Sequence, residues 1–426
     1  MTISISKRSP SLRPSTPNVE RKPPPPARKP ELPRVPSRFE ANQPPPVDLN
    51  VCRKPPTRDE AIAKARELLE GQPTERQDGT SVVVEDAPYV NDQRDVNGKR
   101  ADAAVAQLGD NAQLEAEALA KLSPKDRARY LSVKETLLEP SDGKPHGDPV
   151  AALALQTLLL EGKLPGEKAL GGKDTLLGGL AKLTKQELAE GVDRQTLLAD
   201  LVQEVAVPEA VAQRNKGTCV PTSIEIQLLQ TNPAEYVRLV AGLASPEGEV
   251  TTRGGDVIKR EDGVLDDGTP RSLPQKLLAP ALMELGNGLA DYDNADDKHH
   301  GGGIEGQGGL TAAQADVVLE SLYGHDFAFQ NVSSGDEKKA ATDFVLDEVA
   351  AGRSVLVGMK WGDGGHKVLV TGTETRDGVE YVKIINPWGR EELIPRDDFE
   401  ARLRNVNYDP NAGFRSFWDK VTRLLP

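Results

Sequence analysis

The stretch that decides the fold is GGHKVLVTGTETRDGVEYVKIINPWG, residues 364–389. Apolar residues alternate with polar ones on both sides of Arg376-Asp377-Gly378, which predicts two antiparallel strands joined by a tight turn. Counting back from this turn places His366 and Asn386 at the same open end of the hairpin. The Asn386 side chain can there hold the imidazole in one tautomer and orientation, and Trp388 can shield their hydrogen bond from water.

A second feature lies upstream, where Gln213 to Cys219 precedes a helix predicted from Cys219 to about Gln230. A cysteine at a helix N-terminus lies at the positive end of the helix dipole, where its thiolate is stabilised. Together with a neighbouring imidazolium, this position predicts a thiol pKa well below the usual value of about 8.5. A cysteine before a helix is by itself more often structural. The functional interpretation of Cys219 therefore depends on His366 and Asn386.

Helices and strands alternate along the chain from about residue 207. Cap residues and apolar spacing predict helices that begin at Asn232-Pro233 and extend over 272–285 and 311–322. Between the last two we expect a loop over residues 291–309. Its acidic and histidine residues suggest a metal site, but they lack the spacing and central glycine of an EF-hand, so we expect no bound metal. These residues are Asp293, Asp296, Asp297, His299 and His300.

With these residues in place, the sequence resembles the papain-like cysteine peptidases, and its motifs are most similar to those of the calpain branch. Gln213 stands six residues before Cys219, the spacing of that family's oxyanion-hole glutamine and nucleophile. Residues 365–372 are similar to the GHxxxVTG around the calpain histidine, and residues 386–389 match its NPWG. Cys219 and His366 are 147 residues apart, inside the spacing of about 130–150 for this class.

The resemblance implies an α+β fold for residues 207–426, a papain-like two-lobed catalytic domain with its cleft between a helical half and a β half. It implies that Cys219 is the nucleophile, that His366 is its acid and base, and that Asn386 orients His366. Gln213 and the Cys219 backbone N–H would stabilise the oxyanion. The implied activity is hydrolysis of peptide bonds in a polypeptide substrate through a thioester, with no metal or organic cofactor.

The sequence also departs from the family pattern. Val220, followed by Pro221, stands where the family usually has tryptophan, so the lining of the cleft must differ. Proline is acceptable in the first turn of a helix, so the helix itself is still expected. Calpain-type calcium loops are not recognisable, and calcium activation is therefore not implied.

Two alternatives to a peptidase remain open. The same triad can give a glutamine deamidase or a transglutaminase-like acyltransferase, because the thioester step is common to all three reactions. The chain can also be a catalytically retired peptidase that acts as a binding module. The presence of Gln213, Cys219, His366 and Asn386 together argues against this second alternative.

Upstream of residue 207 the composition changes twice. Residues 1–58 are predicted to be a disordered, proline-rich basic tail, since 15 of the 33 prolines and 12 Lys/Arg against 6 Asp/Glu lie in the first 60 residues. Residues 59–98 read as a helix and a polar linker. Residues 99–206 read as a small helical accessory region. We interpret this accessory region as a partner-binding module or as a segment that docks on the catalytic domain and inhibits it.

Several classes of protein are excluded or disfavoured. Residues 61–426 carry a net charge of −19, which argues against nucleic acid as the main partner. No apolar run approaches the roughly 20 residues of a membrane span, and the first 15 residues lack the apolar segment of a Sec signal. Two cysteines, Cys52 and Cys219, cannot form a disulfide framework. We therefore expect a cytoplasmic protein or one exported by a leaderless route.

The other histidines, each without an Asn-bearing strand after it, are predicted to be non-catalytic: His146, His299, His300 and His325.

Overall fold

The structure is a computed structural model that describes residues 56–71, 74–85, 98–141, 143–303, 306 and 308–410. Within these residues the chain is a mixed α+β protein with 13 α-helices and 12 β-strands. The helices are α1 (Arg58–Glu70), α2 (Lys99–Asp110), α3 (Ala112–Lys121), α4 (Pro124–Leu138), α5 (Pro149–Leu160), α6 (Leu176–Leu183), α7 (Arg194–Ala206), α8 (Cys219–Thr231), α9 (Pro233–Leu243), α10 (Leu273–Asn287), α11 (Ala312–Tyr323), α12 (Gly335–Ala350) and α13 (Arg396–Arg402). The strands are β1 (Thr74–Asp78), β2 (Ser81–Glu85), β3 (Glu249–Thr251), β4 (Val257–Lys259), β5 (Asp291–Asp293), β6 (Lys298–His300), β7 (Ala328–Asn331), β8 (Val355–Trp361), β9 (Gly364–Arg376), β10 (Val379–Asn386), β11 (Arg390–Pro395) and β12 (Leu403–Tyr408).

The dominant element is an eight-stranded antiparallel sheet in the order β1-β2-β11-β10-β9-β8-β12-β7. The predicted hairpin is confirmed, because β9 and β10 are neighbours and Arg376 pairs with Val379 across the turn. Asp377 has a positive φ of 49°, and Gly378 has one of 80°, which fits a tight turn that needs left-handed backbone. The two strands therefore begin to pair at the turn that the sequence predicts.

The two faces of the sheet contribute to two different hydrophobic cores. In β9, Val368 and Val370 pack into the core under α12 and α13, whereas Leu369 packs into the core formed with the helices. This division follows from the alternation of side chains along a strand. Helix α8 packs on the same face as Leu369, and the Ser223 hydroxyl donates to the Lys367 carbonyl over 3.1 Å. The sheet thus presents β9 directly to the helix that begins with Cys219.

The helices of residues 99–206 do not have a core of their own. All 12 residues of α5 are buried, and eight of them belong to the same apolar cluster as residues of α7, α8 and α10. Buried polar contacts cross the same boundary, because the Glu204 carboxylate accepts from the hydroxyls of Tyr236 and Ser272. Residues 99–206 therefore form part of the body that carries the catalytic candidates.

Two short hairpins lie where the sequence analysis did not predict strands. The first, β1–β2, lies in the segment interpreted as a polar linker, and β2 pairs with β11 through Val82 and Leu393. The second, β5–β6, lies within the predicted 291–309 loop. Both hairpins are too short to show a clear alternation of apolar and polar residues. The first hairpin is stabilised by pairing with β11, which lies far along the chain. The sequence predicts a disordered tail over residues 1–58. Of these, residues 1–55 lie outside the described residues.

The predicted helix starts agree with the structure. The Asn232 and Ser272 side chains cap α9 and α10, and Thr311 forms a capping box with Gln314 at the start of α11. None of the helices in the described ranges is long and apolar enough to cross a membrane.

Candidate active site

Helix α8 positions Cys219 as its first residue. Thr218 precedes the helix and makes no side-chain cap bond, and Pro221 occupies the first turn without disrupting it, as expected. Cys219 is a free, half-buried cysteine. It lines a cleft of about 450 Å³ with Gln213, His366 and Trp388. The structure therefore brings the predicted nucleophile and the predicted base to one cavity.

The hairpin β9–β10 brings His366 and Asn386 together. The Nε2 atom of His366 and the Oδ1 atom of Asn386 are 2.9 Å apart, and both residues are buried. An acceptor at Nε2 stabilises the tautomer that carries its proton there, which leaves Nδ1 as the atom able to accept a proton. The Trp388 ring lies against the imidazole at a centroid distance of 4.7 Å, and the Trp361 ring lies at 5.3 Å. These two rings limit the access of water to the pair.

A buried carboxylate, Glu392, fixes the orientation of the Asn386 amide. Asn386 Nδ2 donates to Glu392 Oε1 over 2.8 Å, and Arg390 Nε donates to the same oxygen over 2.8 Å. Glu392 is only 1% exposed. Because its carboxylate accepts hydrogen bonds but cannot donate them, it directs Nδ2 away from His366 and so directs Oδ1 toward the imidazole.

The sequence analysis did not identify Glu392, although a signal was present. The turn after Asn386 pairs that residue with Arg390, and Ile384 then pairs with Glu392. Paired residues share a face of the sheet, as do residues two apart, so Asn386 and Glu392 lie on the same face.

Gln213 is held close to the same loop by its backbone. Its N–H donates to the Pro387 carbonyl over 2.7 Å, and Ala212 forms an isolated bridge with Trp388. The Gln213 side-chain nitrogen donates to the Lys216 carbonyl, and its buried Oε1 has no hydrogen-bond partner among the described residues. The Gln213 amide in the cleft therefore keeps an oxygen that can accept a hydrogen bond. It also keeps a second N–H hydrogen that the contact with Lys216 does not use.

The loop before Cys219 is anchored by the acidic segment that we considered as a metal site. The Gly217 N–H donates to the Asp297 carboxylate over 2.6 Å, and the Tyr292 hydroxyl donates to the same group over 2.6 Å. Asp297 therefore holds the backbone two residues before Cys219. Asp293, Asp296 and His300 each offer one atom of a type that binds metals, and these atoms lie within 4.8 Å of one another at the surface. Exposed acidic groups are also common without a metal.

The pKa of Cys219 differs from the sequence-based expectation. Burial raises the pKa of its thiol, and the nearby Lys367, through its backbone N–H and its charge, only partly opposes this effect. Burial also lowers the pKa of His366, against the hydrogen bond to Asn386, and the charge of Arg390 adds to the lowering. Burial therefore shifts the pKa of the Cys219 thiol in the direction opposite to the sequence-based expectation, because desolvation outweighs the favourable contacts with Lys367 and with the backbone at the start of α8.

The remaining candidates lie elsewhere. His325 stacks on Phe327 and pairs with Asp409 over 3.1 Å, and His146 is exposed in a loop. Among the described residues that line the cleft, there is no second histidine and no residue of 99–206. Cys52 lies outside the described residues.

No protein-family model, curated protein or solved structure gives a significant match to this chain.

Proposed function

We propose that this protein is a papain-like cysteine peptidase that hydrolyses peptide bonds through a thioester. The observation that carries the proposal is the buried His366–Asn386 hydrogen bond of 2.9 Å beside a cleft that Cys219 also lines. A cysteine, a histidine and a group that orients the histidine are the parts that nucleophilic acyl transfer needs. The order of the motifs along the chain and the antiparallel sheet that carries two of them support the papain-like two-lobed fold as part of this proposal.

The proposed reaction begins from a neutral pair. His366 Nδ1 accepts the thiol proton as Cys219 Sγ attacks the substrate carbonyl carbon, and a carbon–sulfur bond forms while the carbonyl π bond opens. The backbone N–H of Cys219 and the side chain of Gln213 are the donors for the resulting oxyanion. His366 then gives the proton to the leaving amine as the carbon–nitrogen bond breaks, which leaves the thioester.

The second half of the reaction returns the enzyme to its first state. His366 accepts a proton from water as the water oxygen attacks the thioester carbonyl, and the thiolate leaves and is reprotonated. Asn386 keeps the imidazole in one orientation through both halves.

The test is a digest of casein and a peptide library by the full chain, analysed by mass spectrometry. Chain cleavage that is absent in Cys219→Ala and His366→Ala supports the proposal. A gain of about one dalton per glutamine without cleavage identifies a deamidase, and new amine adducts identify an acyltransferase. Loss of an oxyanion donor in Gln213→Ala should cost about 100–1000-fold in kcat. Asn386→Ala should keep a measurable remnant, because Asn386 only orients His366. Full activity in His366→Ala would contradict the triad.

A further inference from the structure

A buried lysine lies beside the proposed nucleophile. Lys367 follows His366 in β9 and is 4% exposed. Its backbone N–H and its ammonium charge both act on the Cys219 thiol. Lys367 lines the same cleft as Cys219. A lysine is almost never this buried without a paired charge, so its position calls for an explanation.

The ammonium group is held in place by neutral oxygens. Lys367 Nζ donates to Asn405 Oδ1 over 2.7 Å and to Asn407 Oδ1, both on β12. An ammonium has three hydrogens, so these bonds leave one without an acceptor in the described residues. Gly358 on β8 makes the first contact possible, since a Cβ there would lie 2.4 Å from Asn405 Oδ1.

The neighbouring charges do not neutralise this ammonium. Cys219 and, to a smaller extent, Asp316 on α11 are near enough to raise the pKa of Lys367, but its direct contacts among the described residues are with the amide oxygens of Asn405 and Asn407 and with no carboxylate. Burial raises the pKa of Asp316 to about 6, which weakens it as a counter-charge. Arg404, exposed on β12, adds a second positive charge to the lining of the cleft. Burial lowers the pKa of Lys367 to about 7, so the uncompensated charge is costly in the empty site.

We define the basic recess as the part of the cleft lined by Gly358, Lys367, Arg404 and Asn405. We propose that the basic recess binds the carboxylate of an aspartate or glutamate side chain close to the scissile bond, so that the peptidase selects acidic substrates. The inference rests on the proposed function for its reaction, but the binding step does not. A carboxylate supplies both the missing acceptor and the missing counter-charge of Lys367. The chain as a whole carries a net negative charge and repels acidic peptides, so the preference for an acidic side chain arises from the basic recess itself.

The test measures cleavage and binding separately at pH 6, where the Lys367 ammonium is charged. Peptides in one series differ only by Glu, Gln or Leu at each position around a fixed cleavage site. We expect the wild type to prefer Glu over Gln at one position by about 10–100-fold in kcat/KM. Lys367→Gln, whose amide can still donate to Asn405, should lose most of that preference. Lys367→Met provides a second neutral variant of similar length. Lys259→Gln is the matched control, because Lys259 is exposed on β4 and pairs only with Glu249.

The binding arm uses the Cys219→Ala protein and fluorescence anisotropy of the same peptides. Tighter binding of the Glu peptide that disappears in Cys219→Ala/Lys367→Gln supports the basic recess, even where the active protein cleaves nothing and the proposed function fails. Cleavage without any preference for Glu overturns the basic recess and leaves the peptidase proposal intact. Absence of both cleavage and charge-dependent binding overturns both.

Discussion

The contact between Glu392 and Asn386 gives a sharp test of how the triad is held. We consider Glu392→Gln, which keeps the size of the side chain and removes its charge. The native carboxylate accepts from Asn386 Nδ2 and Arg390 Nε, each over 2.8 Å. Both donors share the same oxygen, so a glutamine amide oxygen in its place can still accept from both, but as a neutral acceptor it forms weaker hydrogen bonds than the carboxylate. The contact that directs Asn386 Oδ1 to His366 is then weakened.

The size of the effect follows from the charge that is lost. A hydrogen bond to a charged group contributes about 1.5–3 kcal/mol and one between neutral groups about 0.5–1.5 kcal/mol, and 1.36 kcal/mol is a factor of ten in rate. If that contact orients Asn386, kcat/KM should fall by about 5–10-fold. The free energy of unfolding should fall by a smaller amount than for a fully buried pair, because the Arg390 side chain is 17% exposed and can be hydrated.

The pH profile separates orientation from simple loss of stability. The charge of Arg390 already lowers the pKa of His366. Without the negative charge of Glu392 beside it, Arg390 should lower that pKa further. Since the proposed reaction needs a neutral His366 to accept the thiol proton, the acid limb of kcat/KM should move to lower pH. A purely structural role would reduce the active fraction without moving that limb.

The assay is peptide turnover by Glu392→Gln from pH 5 to 10, with thermal melts to confirm folding. Glu391→Gln is the matched control, since Glu391 is the adjacent residue of β11 and pairs with Lys383 over 2.9 Å. It should keep both the rate and the limb of the wild type. A folded Glu392→Gln protein with an unchanged rate and an unchanged acid limb would refute the reasoning.

Three further predictions follow from burial. The rate at which iodoacetamide labels Cys219 should rise about tenfold per pH unit between pH 6 and 8, because burial raises the pKa of its thiol; a flat profile would instead show a thiolate–imidazolium pair. Burial, and then the charge of Glu204, raises the pKa of Glu225, so its contribution to stability is greatest below its unfolded pKa of about 4.3 and falls as pH rises. The Tm of Glu225→Gln minus the Tm of the wild type should therefore increase between pH 5 and 9. A difference in Tm that does not change with pH would contradict this prediction. A chain that begins at residue 207 should show no cooperative melt, because it lacks the part of the shared core formed by residues 99–206, whereas a folded and faster enzyme would restore the inhibitor interpretation.

Local rules were sufficient for much of the site. The turn at residues 376–378 brings His366 and Asn386 to the same end of the hairpin, because pairing across a tight turn needs no information from elsewhere in the chain. A shift of register between Lys383 and Ile384, which the period of two does not predict, puts both residues on one face of the sheet. Cap residues likewise predict where α9, α10 and α11 begin, since they satisfy backbone groups within three residues. The sequence by itself therefore determined at which end of the hairpin His366 and Asn386 lie, and that a helix begins with Cys219.

Only the tertiary structure decided how the environment changes those residues. Packing of α8 on β9 buries Cys219 and reverses the expected direction of its pKa shift, because desolvation depends on distant segments that the local sequence does not specify. The same is true of Lys367 and Glu392, whose strand positions were readable but whose burial was not. Residues 99–206 looked like a separate module because their helices are locally complete. Apolar faces specify that a surface must be covered, but they do not specify which other segment covers it.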